Sequence, residues 1–302
     1  MRAITHHPLQ HSAFYRLRSR HQLLRLLGVT HDHLEVLSNS ENLYWEYDIL
    51  KSSKKKRHVE EPRGDLKKVQ AQAAKLLGRI KPADYLYCPA KRRCYVTNAA
   101  RHRYNRVVRC LDLKEFFPNT PRLRVYRFFF EVMRCAGDVA GLLANVACYR
   151  GHLPTGSPLS PIMAHYAYWD VWSTIAAIAA DHGLIVTVYV DDITLSGAHV
   201  PIQVVWEVKQ VLHAAGLRYH KEKEFIDRPS DVTGVVGIAG QLLIPNRQHL
   251  KTWKAKAELG AARDEIEKQK ALARLRGLSA QHIHIARVVG KLAKRSTEAE
   301  AS

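Results

Sequence analysis

Three aspartates are the residues of this sequence whose types and positions could support chemistry. Asp191 and Asp192 are adjacent in the string VTVYVDDITL, between two apolar, β-branched runs. Asp112 lies near the end of the strand-like run RVVRCLDL, where strand alternation puts it on the same face as Val108 and Cys110. An acid on an apolar face needs a partner, which is either a basic side chain or a metal ion shared with other acids.

The metal interpretation requires that Asp191 and Asp192 reach one point. Adjacent residues of an extended strand point to opposite faces, so both acids can share a site only at a turn, and a tight hairpin at Val190–Asp192 would provide it. Clustered carboxylates suit hard cations such as Mg²⁺. Two such ions, about 3.5–4 Å apart, can activate a hydroxyl and stabilise a leaving oxygen in phosphoryl transfer. On spacing alone a solvated turn remains the stronger interpretation, because Asp is common in turns.

The composition points to a polyanionic partner. The chain has 302 residues, enough for one large domain or for two to three subdomains, and 47 Lys and Arg against 28 Asp and Glu give a net charge of +19. Such an excess favours nucleic acid, with an anionic membrane surface second. No apolar run is long enough for a membrane span, and no signal peptide is recognised. Five cysteines without a Cys-x-x-Cys pair, and scattered histidines, argue against disulfides and zinc and suit a reducing cytoplasm.

The first part of the chain predicts helices and one hairpin. Residues 1–40 predict two helices broken at Gly28, with Thr30 capping the second, and a packing pair is favoured over a DNA-reading helix-turn-helix. Residues 43–60 predict a β-hairpin with the basic tip KSSKKKR. The string DLKKVQAQAAKLLGRI then predicts an amphipathic helix.

The second part of the chain surrounds the acid pair with helices. A long apolar helix is predicted at about Ile162–Ala180, and PIQVVWEVKQVLHAAGL predicts another that ends at Gly216. FIDR and VTGVVGIAGQLLI predict short strands, and basic helices follow Pro245, the last over about Ala280–Lys294 with Ser279 as its cap and STEAEAS as a frayed tail. Predicted strands and helices alternate irregularly along the chain, with hairpins, and this pattern predicts the α+β class.

Three sequence motifs, which occur in a fixed order, make a metal site a better interpretation than a solvated turn. LDLKEFFPNT (111–120) resembles the first catalytic strand of reverse transcriptases, LPTGSPLSP (153–161) resembles their substrate-positioning loop, and YVDD (189–192) resembles their acid hairpin. NAARH (98–102) and VTG (232–234) resemble the Asn-Ala-x-x-His and Val-Thr-Gly motifs of the retron subfamily. Two positions depart from the family: Thr155 stands where Gln is usual, and Val190 stands where the commoner retron string has Ala.

The resemblance implies a fold and a division of the chain. It implies a right-hand polymerase, with an antiparallel palm sheet and helices, fingers, and a helical C-terminal thumb. The limits that follow are an N-terminal helical extension over 1–40, fingers and palm over 41–244, and a thumb over 245–302 with a short disordered tail.

The resemblance also implies residue roles. Two Mg²⁺ ions would be held by the catalytic acids Asp112, Asp191 and Asp192, with the Leu113 carbonyl as an extra ligand. The incoming dNTP would meet Lys54, Lys56 and Arg57 on the hairpin tip, Phe117 as a gate against the ribose 2′-hydroxyl, Thr155, Gly156 and Lys223. The cognate RNA would be recognised through Asn98, His102, Val232, Thr233 and Gly234.

Some of these roles have a simpler alternative. Phe116 and Phe117 are as typical of core packing, and we expect that one of the two packs. Lys223 is equally well read as a solvated surface residue. Asn98 and His102 are equally well explained by a helix cap and a core hydrogen bond.

The function implied is an RNA-directed DNA polymerase that copies part of a dedicated noncoding RNA into a short single-stranded DNA in the bacterial cytoplasm. Its partners would be that RNA, the DNA product, dNTPs and a separate effector in anti-phage defence, without a membrane. The alternatives are another prokaryotic reverse transcriptase, group II intron-like or defence-associated, and, from a different class, a non-catalytic basic RNA-binding scaffold.

Overall fold

The computed structural model describes residues 6–39, 41–50 and 56–300. Within these ranges helices and strands alternate irregularly, as the α+β prediction requires. The strands are β1 (Tyr44–Leu50), β2 (Lys56–Pro62), β3 (Leu86–Cys88), β4 (Val107–Leu113), β5 (Ile185–Tyr189), β6 (Asp192–Gly197), β7 (Tyr219–Ile226), β8 (Ser230–Val232), β9 (Val235–Ile238) and β10 (Gln241–Leu243). The helices are α1 (Arg20–Leu27), α2 (His31–Asn39), α3 (Gly64–Leu77), α4 (Tyr95–His102), α5 (Arg122–Arg127), α6 (Gly137–Ala147), α7 (Ser160–Ala167), α8 (Trp169–Asp181), α9 (Ile202–Ala214), α10 (Asn246–Ala261) and α11 (Glu265–Glu300).

A five-stranded sheet carries the acids. Its strand order is β3-β5-β6-β4-β7, and every pairing is antiparallel except that of β3 with β5. The hairpin β5–β6 therefore lies beside β4, which places Asp112 directly opposite Asp192. The predicted hairpin of residues 43–60 is confirmed as β1–β2, a separate two-stranded sheet that we call the basic hairpin. A third sheet, β8–β9–β10, follows β7.

Two hydrophobic clusters hold the chain together. The larger joins the N-terminal helices to α3, to α5–α9 and to one face of the central sheet, with Phe14, Phe129 and Trp172 fully enclosed. The smaller joins α4, the third sheet and α11 through the side chains of Val96, Ala99, Val108, Val232, Val235, Leu242 and Ile285. Burying apolar area of this kind is the main stabilising term in folding.

The N-terminal helices follow the prediction. Gly28 ends α1 in the left-handed conformation, with φ 73°. The Thr30 hydroxyl accepts a hydrogen bond from the His33 N–H at 3.4 Å. Leu23 and Leu34 are buried in the larger cluster, so α1 and α2 form a packing pair.

Two helix predictions are wrong. The long apolar helix is divided into α7 and α8 at Tyr168, whose backbone leaves the helical region while its buried hydroxyl donates to the Asn119 carbonyl at 2.9 Å. The predicted last helix is part of α11, in which Ser279 is an interior residue. Asp264 caps α11 instead, accepting from the Glu267 N–H at 2.7 Å. None of the described helices is both long and apolar enough to cross a membrane.

Candidate active site

The predicted tight hairpin at the acid pair is confirmed. Val190 and Asp191 form a two-residue loop between β5 and β6, and Val190 has φ 60°. A positive φ at only the first loop residue corresponds to a type II′ turn, which normally has Gly there, so a β-branched Val is a strained choice. Hydrogen bonds fix the turn from both sides: the Val190 N–H donates to the Cys88 carbonyl at 3.1 Å, and the Leu113 N–H donates to the Asp191 carbonyl at 2.9 Å.

The turn brings the three acids into electrostatic conflict. Burial raises the pKa of Asp191, and the charge of Asp112 raises it further. Burial raises the pKa of Asp192 to about 7, with Asp191 and Asp112 adding to the shift. Like charges that share a poorly solvated site disfavour each other's ionised forms. The site therefore gains from any cation that binds there.

Two lysines of the edge strand β7 place positive charge beside the three acids. Lys221 lies opposite Asp112 in the register and donates from Nζ to its Oδ2 at 3.0 Å. His220 Nε2 lies 3.6 Å from the same oxygen. Lys223, two residues farther along β7, lines a cavity beside the acids, and its charge lowers the pKa of Asp192.

The acids fit a hard divalent cation by chemistry, since carboxylate oxygens are the ligands Mg²⁺ prefers. In the described part of the chain, however, no three His, Cys, Asp or Glu side chains stand in a ready ligand arrangement. Lys221 donates to only one of the two Asp112 carboxylate oxygens, Oδ2. A metal ion bound at that oxygen would compete with this hydrogen bond, whereas Oδ1 is free of it.

A polar cavity of about 350 Å³ opens beside the acids. Its lining includes Asp112 and Asp192 of the acid turn and Thr233 and Gly234 of the VTG motif. The remaining lining residues are Cys110, Tyr189, Thr194, Lys221, Lys223, Asp231 and Arg247. The lining carries three acidic and three basic side chains, and Lys221 and Arg247 are paired with Asp112 and Asp231.

The two phenylalanines after Asp112 differ in environment. Phe116 is buried, and its ring centroid lies 5.7 Å from that of Tyr168 and 6.0 Å from that of Trp172. Phe117 is half-buried, 5.8 Å from Phe116 by ring centroid. One ring of the pair therefore packs in the core, as expected, while Phe117 keeps a partly exposed face.

The loop predicted to meet the nucleotide contacts the basic hairpin. The Thr155 hydroxyl accepts from the Glu60 N–H and donates to the His58 carbonyl, both at 3.1 Å. The Gly156 N–H donates to the Glu60 carbonyl at 3.0 Å, and a Cβ at Gly156 would lie 2.8 Å from that oxygen. Glycine is thus required at this position by close backbone approach within the protein itself.

The hairpin tip is described in part. Lys54 lies outside the described residues. Lys56 is exposed and pairs with Asp48 at 3.4 Å. The positive charge of Arg57 lowers the pKa of Asp191, against the larger effect of burial, which raises it.

Asn98 and His102, the first and last residues of the NAARH motif, are both buried. His102 Nδ1 lies 2.6 Å from the Ser196 hydroxyl, and Nε2 lies 2.8 Å from the Thr187 hydroxyl. Burial lowers the pKa of His102 to about 3. Asn98 is also buried and donates from Nδ2 to the Thr233 hydroxyl at 3.3 Å, while its Oδ1 has no protein partner. This is the core arrangement left open as an alternative.

The VTG motif forms a turn that completes this arrangement. Val232 is buried in the smaller cluster, and Thr233 and Gly234 connect β8 to β9 with φ of 47° and 86°. Two positive φ values correspond to a type I′ hairpin turn. The Thr233 hydroxyl also donates to the Tyr95 carbonyl of α4 at 3.0 Å. The NAARH and VTG motifs therefore form one structural joint.

Sequence reasoning missed several residues around the site. Lys221 was not singled out, although it alternates with Lys223 along HKEKEF and must share its face of the strand. The ion pair of Asp231 with Arg247, at the cavity wall, joins the third sheet to α10 and has no local signal.

Comparisons with known proteins agree with the motifs. No family model matches the chain. The retron Se72 reverse transcriptase of Salmonella heidelberg (strain 579083-10) is 24% identical over 226 residues, which are 72% of this chain and 60% of that protein. The retron Ec86 reverse transcriptase of Escherichia coli is 26% identical over 188 residues, 61% of this chain and 58% of that protein. The retron Mx162 reverse transcriptase of Myxococcus xanthus is 28% identical over 243 residues, 69% of this chain and 50% of that protein.

The matched regions thus span between 50% and 60% of the length of these three relatives. Within this chain they cover between 61% and 72%. The chain is therefore similar, over most of its length, to the retron reverse transcriptases.

Proposed function

We propose that the protein is a retron-type RNA-directed DNA polymerase. It would copy part of a cognate structured noncoding RNA into short single-stranded DNA by two-metal phosphoryl transfer. The observation that carries the proposal is the convergence of Asp112, Asp191 and Asp192 at a hairpin turn, where burial and mutual repulsion raise the pKa of both members of the pair. The similarity to retron reverse transcriptases supports the same reaction.

Each side chain takes a role consistent with its position. Asp112, Asp191 and Asp192, with the Leu113 carbonyl, would hold two Mg²⁺ ions, which supply charge neutralisation and an activated primer hydroxyl. Arg57 would bind the triphosphate with its planar guanidinium, helped by Lys56. Phe117 would present its exposed face to the sugar, and Lys223 would offer a proton to the pyrophosphate.

The proposal extends to the whole molecule. Residues 41–244 would be the fingers and palm, 245–302 the thumb, and 1–40 a helical extension. The net charge of +19 favours long contacts with RNA and DNA phosphates. The cognate RNA, dNTPs and a separate defence effector would be its partners in a bacterial cytoplasm.

Primer extension on an RNA template with Mg²⁺ and dNTPs tests the proposal. The wild type should extend the primer, and Asp191→Asn/Asp192→Asn should not. Equal incorporation by both proteins would refute the polymerase assignment. Sequencing the nucleic acid that copurifies tests the retron assignment, which a heterogeneous RNA pool would contradict.

One observation favours a second function, a non-catalytic RNA-binding scaffold. Lys221 pairs with Asp112 and takes the place of a cation at that carboxylate. A scaffold would bind RNA with unchanged affinity when Mg²⁺ is removed, and its binding would not respond to Asp112→Asn. A polymerase would lose extension in both cases.

A further inference from the structure

A contact between His152 and the buried Glu60 carboxylate joins the basic hairpin to the loop that follows α6. His152 Nε2 lies 3.0 Å and 3.1 Å from the two carboxylate oxygens of Glu60. The Glu60 side chain is only 8% exposed and that of His152 is 23% exposed. A carboxylate this deeply buried requires a partner, because an unpaired buried charge is strongly destabilising.

The neighbouring contacts reinforce this pair. Thr155 bonds through its hydroxyl to the backbone of β2 on both sides of Val59, at Glu60 and at His58. Gly156 packs directly against the backbone of Glu60. The Ser157 hydroxyl donates to the buried Gln70 amide oxygen at 2.6 Å, which anchors the far end of the loop.

This junction lies close to the residue that would bind triphosphate. Arg57 is three residues before Glu60 on β2, roughly 10 Å along an extended strand. Its charge already acts on Asp191 across the site. Because a paired strand is stiff, the point at which β2 is fixed determines where the Arg57 side chain begins.

We infer that the Glu60–His152 pair and Thr155 form a clamp that positions Arg57 for the triphosphate of the incoming nucleotide. Glu60, His152 and Thr155 are positioning residues, since they act through Arg57. The inference rests on the proposed function for the identity of the ligand. It also gives a structural role to Thr155, because its hydroxyl bonds to the backbone of β2.

The clamp has a defined pH response. The hydrogen bond to Glu60 raises the pKa of His152, opposed by burial and by the charge of Arg150 on its own turn. Arg150 in turn pairs with Glu46 of β1, and the same Glu46 carboxylate pairs with His58 of β2. A raised pKa means that protonated His152 stabilises the folded state at low pH and that this contribution is lost as pH rises through its folded pKa.

Steady-state kinetics on an RNA template–primer test the role toward substrate. We expect His152→Ala and Thr155→Val to raise the KM for dNTP about tenfold, equivalent to about 1.4 kcal/mol of binding, with kcat changed much less. In the wild type, KM should rise as pH rises above the His152 pKa, whereas His152→Gln should remove that dependence. His182→Ala, an exposed histidine bonded to its own helix, is the matched control and should leave KM unchanged.

Hydrogen–deuterium exchange of residues 56–62 tests the clamp without any activity. The amides of β2 should exchange faster in His152→Ala and in Thr155→Val than in the wild type or in His182→Ala. Unchanged exchange in both variants overturns the clamp, and faster exchange with an unchanged KM overturns its role toward substrate. If the wild type does not polymerise, the proposed function fails, and exchange alone decides the clamp. Should His152→Ala fail to fold, the volume-matched Thr155→Val decides.

Discussion

The acid turn and the joint between α4 and the β8–β9 turn are both built from short motifs, yet they treat polar side chains in opposite ways. At the acid turn, Asp112 and Asp192 line a cavity, and burial together with the charges of the neighbouring acids raises the pKa of Asp191 and of Asp192. At the joint, His102 and Asn98 are buried and bonded to hydroxyl groups of the same protein.

This difference indicates that the acid turn is a functional site and that the joint has a structural role. Polar groups left in conflict at a solvent-accessible point are stabilised by a cation or ligand, which is the usual signature of a functional site. Polar groups satisfied internally fix one arrangement of the surrounding elements. Here the joint holds α4 against the third sheet, and Ile285 brings α11 into the same cluster. We therefore expect the joint to affect nucleic-acid binding through the placement of the C-terminal helices.

The largest expected effect is at the acid turn. Asp191→Asn/Asp192→Asn should lower primer extension by about 10³-fold or more, since several kcal/mol of charge stabilisation are lost. Its free energy of unfolding should not fall, because two mutually repelling buried acids are replaced by neutral amides. Activity assays together with denaturant unfolding measure both quantities. A variant that unfolds more easily than the wild type would contradict this view of the turn.

The joint should show the reverse pattern. His102→Ala leaves the Ser196 and Thr187 hydroxyls without their imidazole and opens a cavity, so the free energy of unfolding should fall by about 3 kcal/mol. Extension per folded molecule should be retained at low temperature. His182→Ala is the control for loss of an imidazole at the surface. Intact stability combined with lost RNA binding would show instead that His102 contacts RNA directly.

Acid should weaken the joint before it unfolds the remainder. Burial lowers the pKa of His102 from 6.5 to about 3, so the unfolded chain binds a proton more readily than the folded one between these values. Stability from the neutral imidazole is therefore complete above pH 6.5 and is lost as pH falls toward 3, by about 2 kcal/mol near pH 5. His165, buried with a similarly lowered pKa, adds to the loss. Unfolding of His102→Gln against pH should show a shallower slope than the wild type, and equal slopes would exclude His102 as a source.

The smallest expected effect is the coupling between the two motifs. A double-mutant cycle of Asn98→Ala and Thr233→Ala should give an interaction energy of about 1 kcal/mol, the net value of one buried hydrogen bond. Thermal or denaturant unfolding of the four proteins measures it. Purely additive effects would mean that the two motifs occupy the same region without acting together.

Local patterns predicted much of the fold correctly. The hairpin at Val190–Asp192 follows from two apolar β-branched runs separated by two residues, and the Gly28 and Thr30 signals follow from helix capping. The division of the apolar helix at Tyr168 could not be predicted in this way, because the contact made there is a hydrogen bond to Asn119, 49 residues earlier. The positive φ of Val190 could not be predicted either, because a residue with positive φ is normally Gly.

The candidate site also has features that could be predicted from the sequence and features that could not. The identity and order of Asp112, Asp191 and Asp192 were readable from the sequence, and so was the chemistry that carboxylates support. The pairing of Lys221 with Asp112, the clamp between Glu60 and His152, and the burial of His102 required residues far apart in the chain to meet.

By itself, the sequence determined the acid turn, the α+β class, the basic charge and the similarity to retron reverse transcriptases. These features depend on residue type, on alternation between neighbouring residues, and on motif order. Only the tertiary structure decided which polar groups are exposed to a cavity and which are enclosed, and therefore which pKa values move and in which direction. The physical reason is that burial and charge proximity are set by segments dozens of residues apart, whereas a motif records only its own neighbours.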